Sequence, residues 1–240
     1  MTVVVNAVAA KMGGAATYLR ALVRELAAAP EAGRFVVYVP PEQAELGRGA
    51  PPHIEWRVSA AGHAGALRRF WWDQVTLRRL VRRERADVLY STANFALLFC
   101  PVPQVLLVRQ ALYFSPLYAS VVLRRKSRRF RLAHWLRRQL VQLSIRHATT
   151  VLAPSRSLQD QMRAAGASWR ARVEVLPYGA QAFNHSRANP GTAPKHERPL
   201  RLLLADLYAE HKNLGTVLDA MNRVRERNGL AVQLTTTADP

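Results

Sequence analysis

The sequence predicts an α/β protein with parallel sheets in two units, the second represented only by its first strand–helix–strand. Three observations predict this. Short apolar runs rich in β-branched residues alternate with segments of helical periodicity, the pattern of a parallel sheet with crossover helices. A strand–loop–helix start near Val3 recurs near Leu202. Between the two, residues 184–199 lose all periodicity and carry Asn, Ser, Gly, Pro and charges, which predicts a linker. The expected boundaries are a first domain over 1–183, a linker over 184–199 and the start of a second domain over 200–240.

Thr2 to Val8 is a continuous apolar run of strand length, as in a strand buried on both faces. Lys11 to Ala16, with Gly13-Gly14, is the expected loop, and Thr17 to Ala29 a helix closed by Pro30. Phe35 to Val39 and Ile54 to Val58 are strands. Ala66 to Glu84 is a helix whose Phe70, Trp71, Val75, Leu77, Leu80 and Val81 form an apolar side. Strands follow at Asp87 to Ser91 and Pro103 to Val108, a long basic helix over Arg131 to His147, and a strand at Thr150 to Pro154. Ser155 starts a helix reaching Ala165, and Val173 to Leu176 leads into Pro177-Tyr178-Gly179. In the last segment, Arg201 to Asp206 is a buried strand, Asn213 to Arg227 an amphipathic helix and Leu230 to Thr236 a strand.

Composition narrows the function classes. The chain has 240 residues, of which 49% are hydrophobic and 21% charged, enough for a sizeable core and against wholesale disorder. No run approaches the ~18–20 apolar residues of a spanning helix. Met1 leads directly into Val3-Val4-Val5 without a basic n-region, so no secretory signal is expected. The single cysteine, Cys100, excludes an internal disulfide and fits a reducing cytosol. The seven histidines lack metal-ligand spacing, so neither a metal site nor a cofactor is expected. Thirty-five Lys and Arg against 16 Asp and Glu give a net charge of +19. Between Ala119 and Ala148 stand Arg124, Arg125, Arg128, Arg129, Arg131 and four further cations without one acid. Such a block attracts phosphates of lipid, nucleic acid or sugar nucleotide. Its Phe130, Trp135 and Leu136 make it either a helix on an anionic membrane surface or an ordinary amphipathic helix with a solvated basic side. Nucleic acid ranks lowest, for no motif of that class is present.

Four constellations carry candidate chemistry. Gly13 and Gly14, between first strand and first helix, make either a permissive turn or a close approach for a ligand phosphate. Ser155, after Ala153-Pro154, is a helix cap or a ligand contact, and Tyr178 and Gly179 close a strand end of the same kind. Lys212 stands at a helix entrance, where a cation conflicts with the dipole unless an anion is also bound. The Trp72-Asp73-Gln74 triplet is unusual, but spacing alone supplies no chemistry for it.

Taken in order, the Gly13-Gly14 loop before Tyr18-Leu19, Trp72-Asp73-Gln74, Asp87 to Ser91, Ala153-Pro154-Ser155, Val175 to Gly179 and His211-Lys212-Asn213-Leu214 resemble the family 4 glycosyltransferases. These are retaining enzymes of the GT-B fold, two Rossmann-like lobes of which the N-terminal one binds acceptor and the C-terminal one the nucleotide-sugar donor. The resemblance implies that Gly13 and Gly14 approach the transferring sugar and diphosphate, and that Lys212 neutralises the departing diphosphate. It also implies a glycan or lipid-linked acceptor and a peripheral location at the inner face of a membrane, with Arg124 to Arg131 toward the lipid. Arg109-Gln110 stands where members commonly have His-Asp, which makes Arg109 a candidate cleft residue without an assigned catalytic role. Asp206-Leu207-Tyr208 stands where many place an arginine, and the family's donor-side glutamate pair has no counterpart through Pro240. The expectation is therefore a chain without transferase activity by itself. The alternative is a non-catalytic module that binds a membrane or a partner.

Overall fold

The computed structural model describes residues 1–166, 172–179, 200–204 and 213–236. It divides into two compact units, Met1–Gln181 and Ala182–Pro240.

In the first unit, β1 (Thr2–Asn6), β2 (Arg34–Val39), β3 (Ile54–Val58), β4 (Val88–Ser91), β5 (Gln104–Leu107), β6 (Thr150–Ala153) and β7 (Arg172–Val175) form one sheet. Its order is β3-β2-β1-β4-β5-β6-β7, with every pair parallel. The chain thus winds outward from β1 to β3, then crosses back to lay β4 beside β1. Between β1 and β4 the direction of winding reverses, and the loops after these two strands leave the sheet to opposite sides. Open parallel sheets bind ligands at such a point, outside the carboxyl ends of the strands.

Valines fill β1 because both of its faces are covered. Val3 and Val5 pack with Phe35, Val37 and Leu19 of α1 (Gly13–Ala27). Val4 packs on the other face with Val36, Leu77, Val81 and Leu89. A third cluster joins Leu106 and Val151 to Val141 and Ile145 of α4 (Arg128–His147) and to Leu158 and Met162 of α5 (Arg156–Ala165). Leu19, Leu77, Leu89, Leu106 and Ile145 are fully buried. Each such side chain removed from water contributes about 1.5–3 kcal/mol.

Two expectations are corrected here. Gly13-Gly14 are not loop residues but the first turn of α1, because Ala15 and the buried Ala16 extend the helical pattern back from Tyr18. Trp71 is not core: it is 68% exposed. The helix of Ala66 to Glu84 is α2 (Ala66–Trp72) running through a π turn, Asp73–Leu77, into α3 (Arg78–Arg83). The turn takes up one extra residue, so the buried line is Arg69, Asp73, Leu77, Val81, at strict spacing of four, rather than the stripe an unbroken 3.6-residue helix would bury.

The second unit pairs β8 (Leu200–Leu204) with β9 (Val232–Thr236) in a separate parallel two-stranded sheet, with α6 (Leu214–Asn228) between them. Leu200, Leu202 and Val232 line a cavity with Val217, Ala220, Met221 and Val224 of α6. The expected burial of β8 is corrected: α6 covers one side of the pair only, and Leu203 on the other is 70% exposed. Lys212 and the linker 184–199 lie outside the described residues.

Candidate functional site

Sheet topology, not sequence proximity, assembles the candidate residues. Gly13 and Gly14 follow β1, Arg109 follows β5, Ser155 follows β6, and Tyr178 and Gly179 follow β7. All of them lie past the carboxyl ends of parallel strands, so one edge of the sheet carries them.

The helix entrance after β1 is open to an anion. Met12 is extended and no side chain caps α1, nor does its first turn carry an acid. The N–H groups of that turn therefore keep their partial positive charge for a ligand. Two other helices of this unit are closed, Ser127 Oγ accepting from Phe130 N at 3.3 Å and Ser155 Oγ from Leu158 N at 3.2 Å, whereas α2, entered from Gly65, is uncapped like α1. Ser155 thus spends its side chain as the cap of α5. Gly13 has φ +58°, a left-handed conformation that a side chain disfavours. At Gly14 an added Cβ would meet nothing within 4 Å.

The Trp72-Asp73-Gln74 triplet finds its role in holding the two loops of the reversal point. Asp73, fully buried, accepts from Asn6 Nδ2 at 2.9 Å through Oδ1. Arg69 lies beside it, Nε 3.3 Å from Oδ1 and 3.2 Å from Oδ2, while its Nη2 donates to Asn6 Oδ1 at 3.3 Å. Asn6, at the end of β1, is thereby gripped on both sides of its amide. Burial pushes the Asp73 carboxyl up, against the pull of the Arg69 charge and the Asn6 bond. Trp72 lies under the Arg69 guanidinium at 5.9 Å. Gln74 brackets the loop after β4, donating to Ala96 O at 3.0 Å and accepting from Leu98 N at 2.8 Å. Buried Gln104 at the start of β5 completes the grip, accepting from Leu97 N at 2.8 Å and donating to Leu97 O at 3.0 Å.

Three tyrosines meet at the same edge. Tyr18 of α1 shares a short hydroxyl–hydroxyl hydrogen bond with Tyr90 of β4, and its ring lies 5.4 Å from that of Tyr178. Burial raises all three phenols, and the positive charge of Arg109 acts on each in the opposite sense. The Arg109 backbone is fixed by Asn94, whose Oδ1 accepts from Arg109 N at 2.9 Å and Gln110 N at 3.3 Å. Asn6, Arg69, Asp73, Tyr18, Tyr90 and Asn94 escaped the sequence reading as site residues. The signals that touched them were the Trp72-Asp73-Gln74 triplet and the segments Tyr18-Leu19 and Asp87 to Ser91, none of which showed a role. No cluster of three His, Cys, Asp or Glu side chains that could hold a metal occurs among the described residues.

With this geometry, the sequence profile of Glycosyltransferase Family 4 matches residues 12–181, more than half of the chain. The chain belongs to glycosyltransferase family 4. The matched stretch runs from the entrance of α1 past Tyr178 and Gly179, and so contains the strand ends of β2 to β7. Similar solved structures include the apo form of the lipopolysaccharide outer core galactosyltransferase WaaB, at 11% identity and a TM-score of 0.57, covering 100% of this chain and 68% of that one. HepE from Anabaena, in complex with UDP and glucose, is 16% identical with a TM-score of 0.54, covering 100% of this chain and 70% of that one. UGT2 from Phytolacca americana, complexed with UDP-2fluoro-glucose and pterostilbene, is 9% identical with a TM-score of 0.53 and coverages of 100% and 72%. At these identities the likeness is one of fold class, GT-B. No curated protein sequence matches the chain.

Proposed function

We propose that this chain serves transfer of a hexosyl group, with retention, from a nucleotide-sugar donor to a glycan or lipid-linked acceptor, its first unit being the acceptor-binding part. The observation that carries the reading is the uncapped, acid-free entrance of α1, with an open side at Gly14, on the edge where a family 4 member gathers its site. There the helix end and its N–H groups attract the donor diphosphate, and Gly13 and Gly14 let it come close. HepE and UGT2, which carry UDP or a UDP-sugar in their structures, support a nucleotide-sugar donor. Lys212 takes the departing diphosphate, its charge matched to that of the leaving group, and residues 200–240 form the start of the donor side.

The chain by itself does not turn over. Among its described residues the second unit places one helix on a two-stranded sheet and leaves Leu203 in water, too little structure to enclose a nucleotide. Release of nucleoside diphosphate from UDP-glucose with a mixed glycan acceptor is expected to stay at background. Measurable release by the purified chain would refute this part. Calorimetric titration with UDP-glucose tests the rest: weak binding, abolished by Gly14→Asp, is expected, and binding indifferent to that change contradicts it.

A second reading rests on a separate observation. Leu117, Leu132 and Trp135 are 71%, 59% and 52% exposed, amid exposed Arg124, Arg125, Arg128, Arg129 and Arg131. Leu136 and Leu140 continue this surface into a groove against Leu67 and Arg68. An apolar strip bordered by arginines suits an anionic lipid surface, on which a non-catalytic module or a peripheral enzyme would lie. No helix among the described residues is long and apolar enough to cross a membrane. Co-sedimentation with vesicles containing phosphatidylglycerol, but not with neutral ones, is expected, with loss on replacing Arg128, Arg129 and Arg131 by Gln. Equal binding to neutral vesicles would count against it.

A further inference from the structure

Arg109 has no counter-charge among the described residues. Its side chain is half-buried, yet among the described residues no carboxylate pairs with it and no side-chain hydrogen bond engages it. The buried or half-buried acids among the described residues of this unit are committed elsewhere, Glu55 and Glu84 to Arg34, Asp73 to Arg69 and Glu174 to Arg172. Neutral phenols share this edge with it: Tyr90 on β4, the strand beside β5, Tyr18 bonded to Tyr90, and Tyr178 packed on Tyr18. The arrangement is built rather than incidental. Asn94 sits at φ +51° and uses its side chain to hold the Arg109 and Gln110 amides, while its own N–H donates to Leu107 O at 3.1 Å. Tyr18 and Tyr90 are locked hydroxyl to hydroxyl, and Tyr178 leans on Tyr18 while remaining half exposed.

A planar guanidinium carried on the same strand-end edge as a phenol cluster matches a carboxylate in two-point geometry. An exposed aromatic face beside it suits the C–H face of a pyranose ring, which it meets with its negative π cloud. We propose that Arg109 and the Tyr18–Tyr90–Tyr178 cluster form a subsite for an acidic sugar, its carboxylate on the Arg109 guanidinium and its ring against Tyr178. This rests on the reading of the strand-end edge as the sugar-binding face, and adds to it the chemical class of the sugar.

The test titrates methyl β-D-glucuronide and methyl β-D-glucoside onto the chain carrying 13C-labelled tyrosine, following the ring signals of Tyr18, Tyr90 and Tyr178. The glucuronide is expected to move them at about tenfold lower concentration than the glucoside, the size of one charge-assisted hydrogen-bonded pair. Arg109→Gln removes the preference, Arg109→Lys keeps part of it, and Tyr178→Ala weakens both sugars while Tyr178→Phe does not. Thermal melts identify a variant that fails to fold, and the Lys variant then carries the test. Equal affinity for the two sugars overturns the acidic subsite and leaves the sugar-binding edge standing. Neither sugar moving these rings overturns both. Inorganic phosphate moving them at the concentration of the glucuronide also overturns it, for the site would then be a bare anion site. UDP-glucuronate binding tighter than the methyl glucuronide assigns the acid to the donor, and equal binding to the acceptor; either upholds the subsite.

Discussion

Two adjacent glycines of α1 ought to respond in opposite directions to the same substitution. Gly13 sits at φ +58°, and alanine in that region costs about 1–2 kcal/mol. Gly14 is helical and an added Cβ there finds nothing within 4 Å. Alanine at Gly14 therefore meets no clash and gains about 0.5–1 kcal/mol from the smaller entropy of the unfolded chain. For a unit of this size, 1 kcal/mol moves Tm by about 2–4 °C. All five tryptophans fall within Met1–Gln181, so the fluorescence melt reports on the first unit alone. Gly13→Ala is expected to lower Tm by a few degrees and Gly14→Ala to leave it unchanged or raise it slightly. In calorimetry with UDP-glucose, Gly14→Ala should nevertheless bind at least tenfold more weakly, on the order of 1.4 kcal/mol, because the methyl group occupies the approach of the phosphate. A Gly14→Ala protein that melts several degrees lower would refute the open side of the helix entrance. One that is stable and binds normally would refute its role as a phosphate approach.

The remaining predictions concern the residues that hold the edge in place. Asp73 keeps its proton more firmly folded than unfolded, so it contributes most below the usual aspartate range, and that contribution is lost as pH rises through the raised folded value. Urea titrations from acid to neutral pH should show wild type losing stability relative to Asp73→Asn; a growing advantage for wild type would contradict the burial argument. Gln104→Leu strands the buried N–H and C=O of Leu97, at about 1–3 kcal/mol each, and should cost about 2–6 kcal/mol by urea denaturation. A loss under 1 kcal/mol would mean that the loop after β4 is not held there. Ser155→Ala should cost about 1 kcal/mol as a lost cap, with Ser155→Asp restoring it; sugar binding that falls in both variants would show a ligand role beyond capping.

Much of the fold was legible because its signals are local. β-branched runs marked the strands of the parallel sheet to within a few residues, and Ser155 announced α5. The exceptions have physical causes. Gly13-Gly14 resembled a loop since glycine breaks helices on average, although the first turn tolerates it. The π turn at Asp73–Leu77 was invisible to a 3.6-residue period, which put Trp71 inside and left Asp73 without a role. The site itself was legible only in outline. Strand ends can be counted along a chain, but the order β2-β1-β4-β5 that brings Tyr18, Tyr90 and Arg109 together is a property of the folded sheet. An aromatic within a strand, such as Tyr90, is indistinguishable in sequence from core.

The central claim is that the carboxyl-end edge of the first sheet is where this family 4 member meets its sugar substrates. Amide hydrogen exchange of the purified chain, with and without saturating UDP-glucose and methyl glucuronide, tests it most directly. Slowed exchange is expected in residues 7–14, 92–99, 108–113 and 176–179. Slowing confined to the outer turns of α4 or to β8, α6 and β9, with those four segments unchanged, would contradict it.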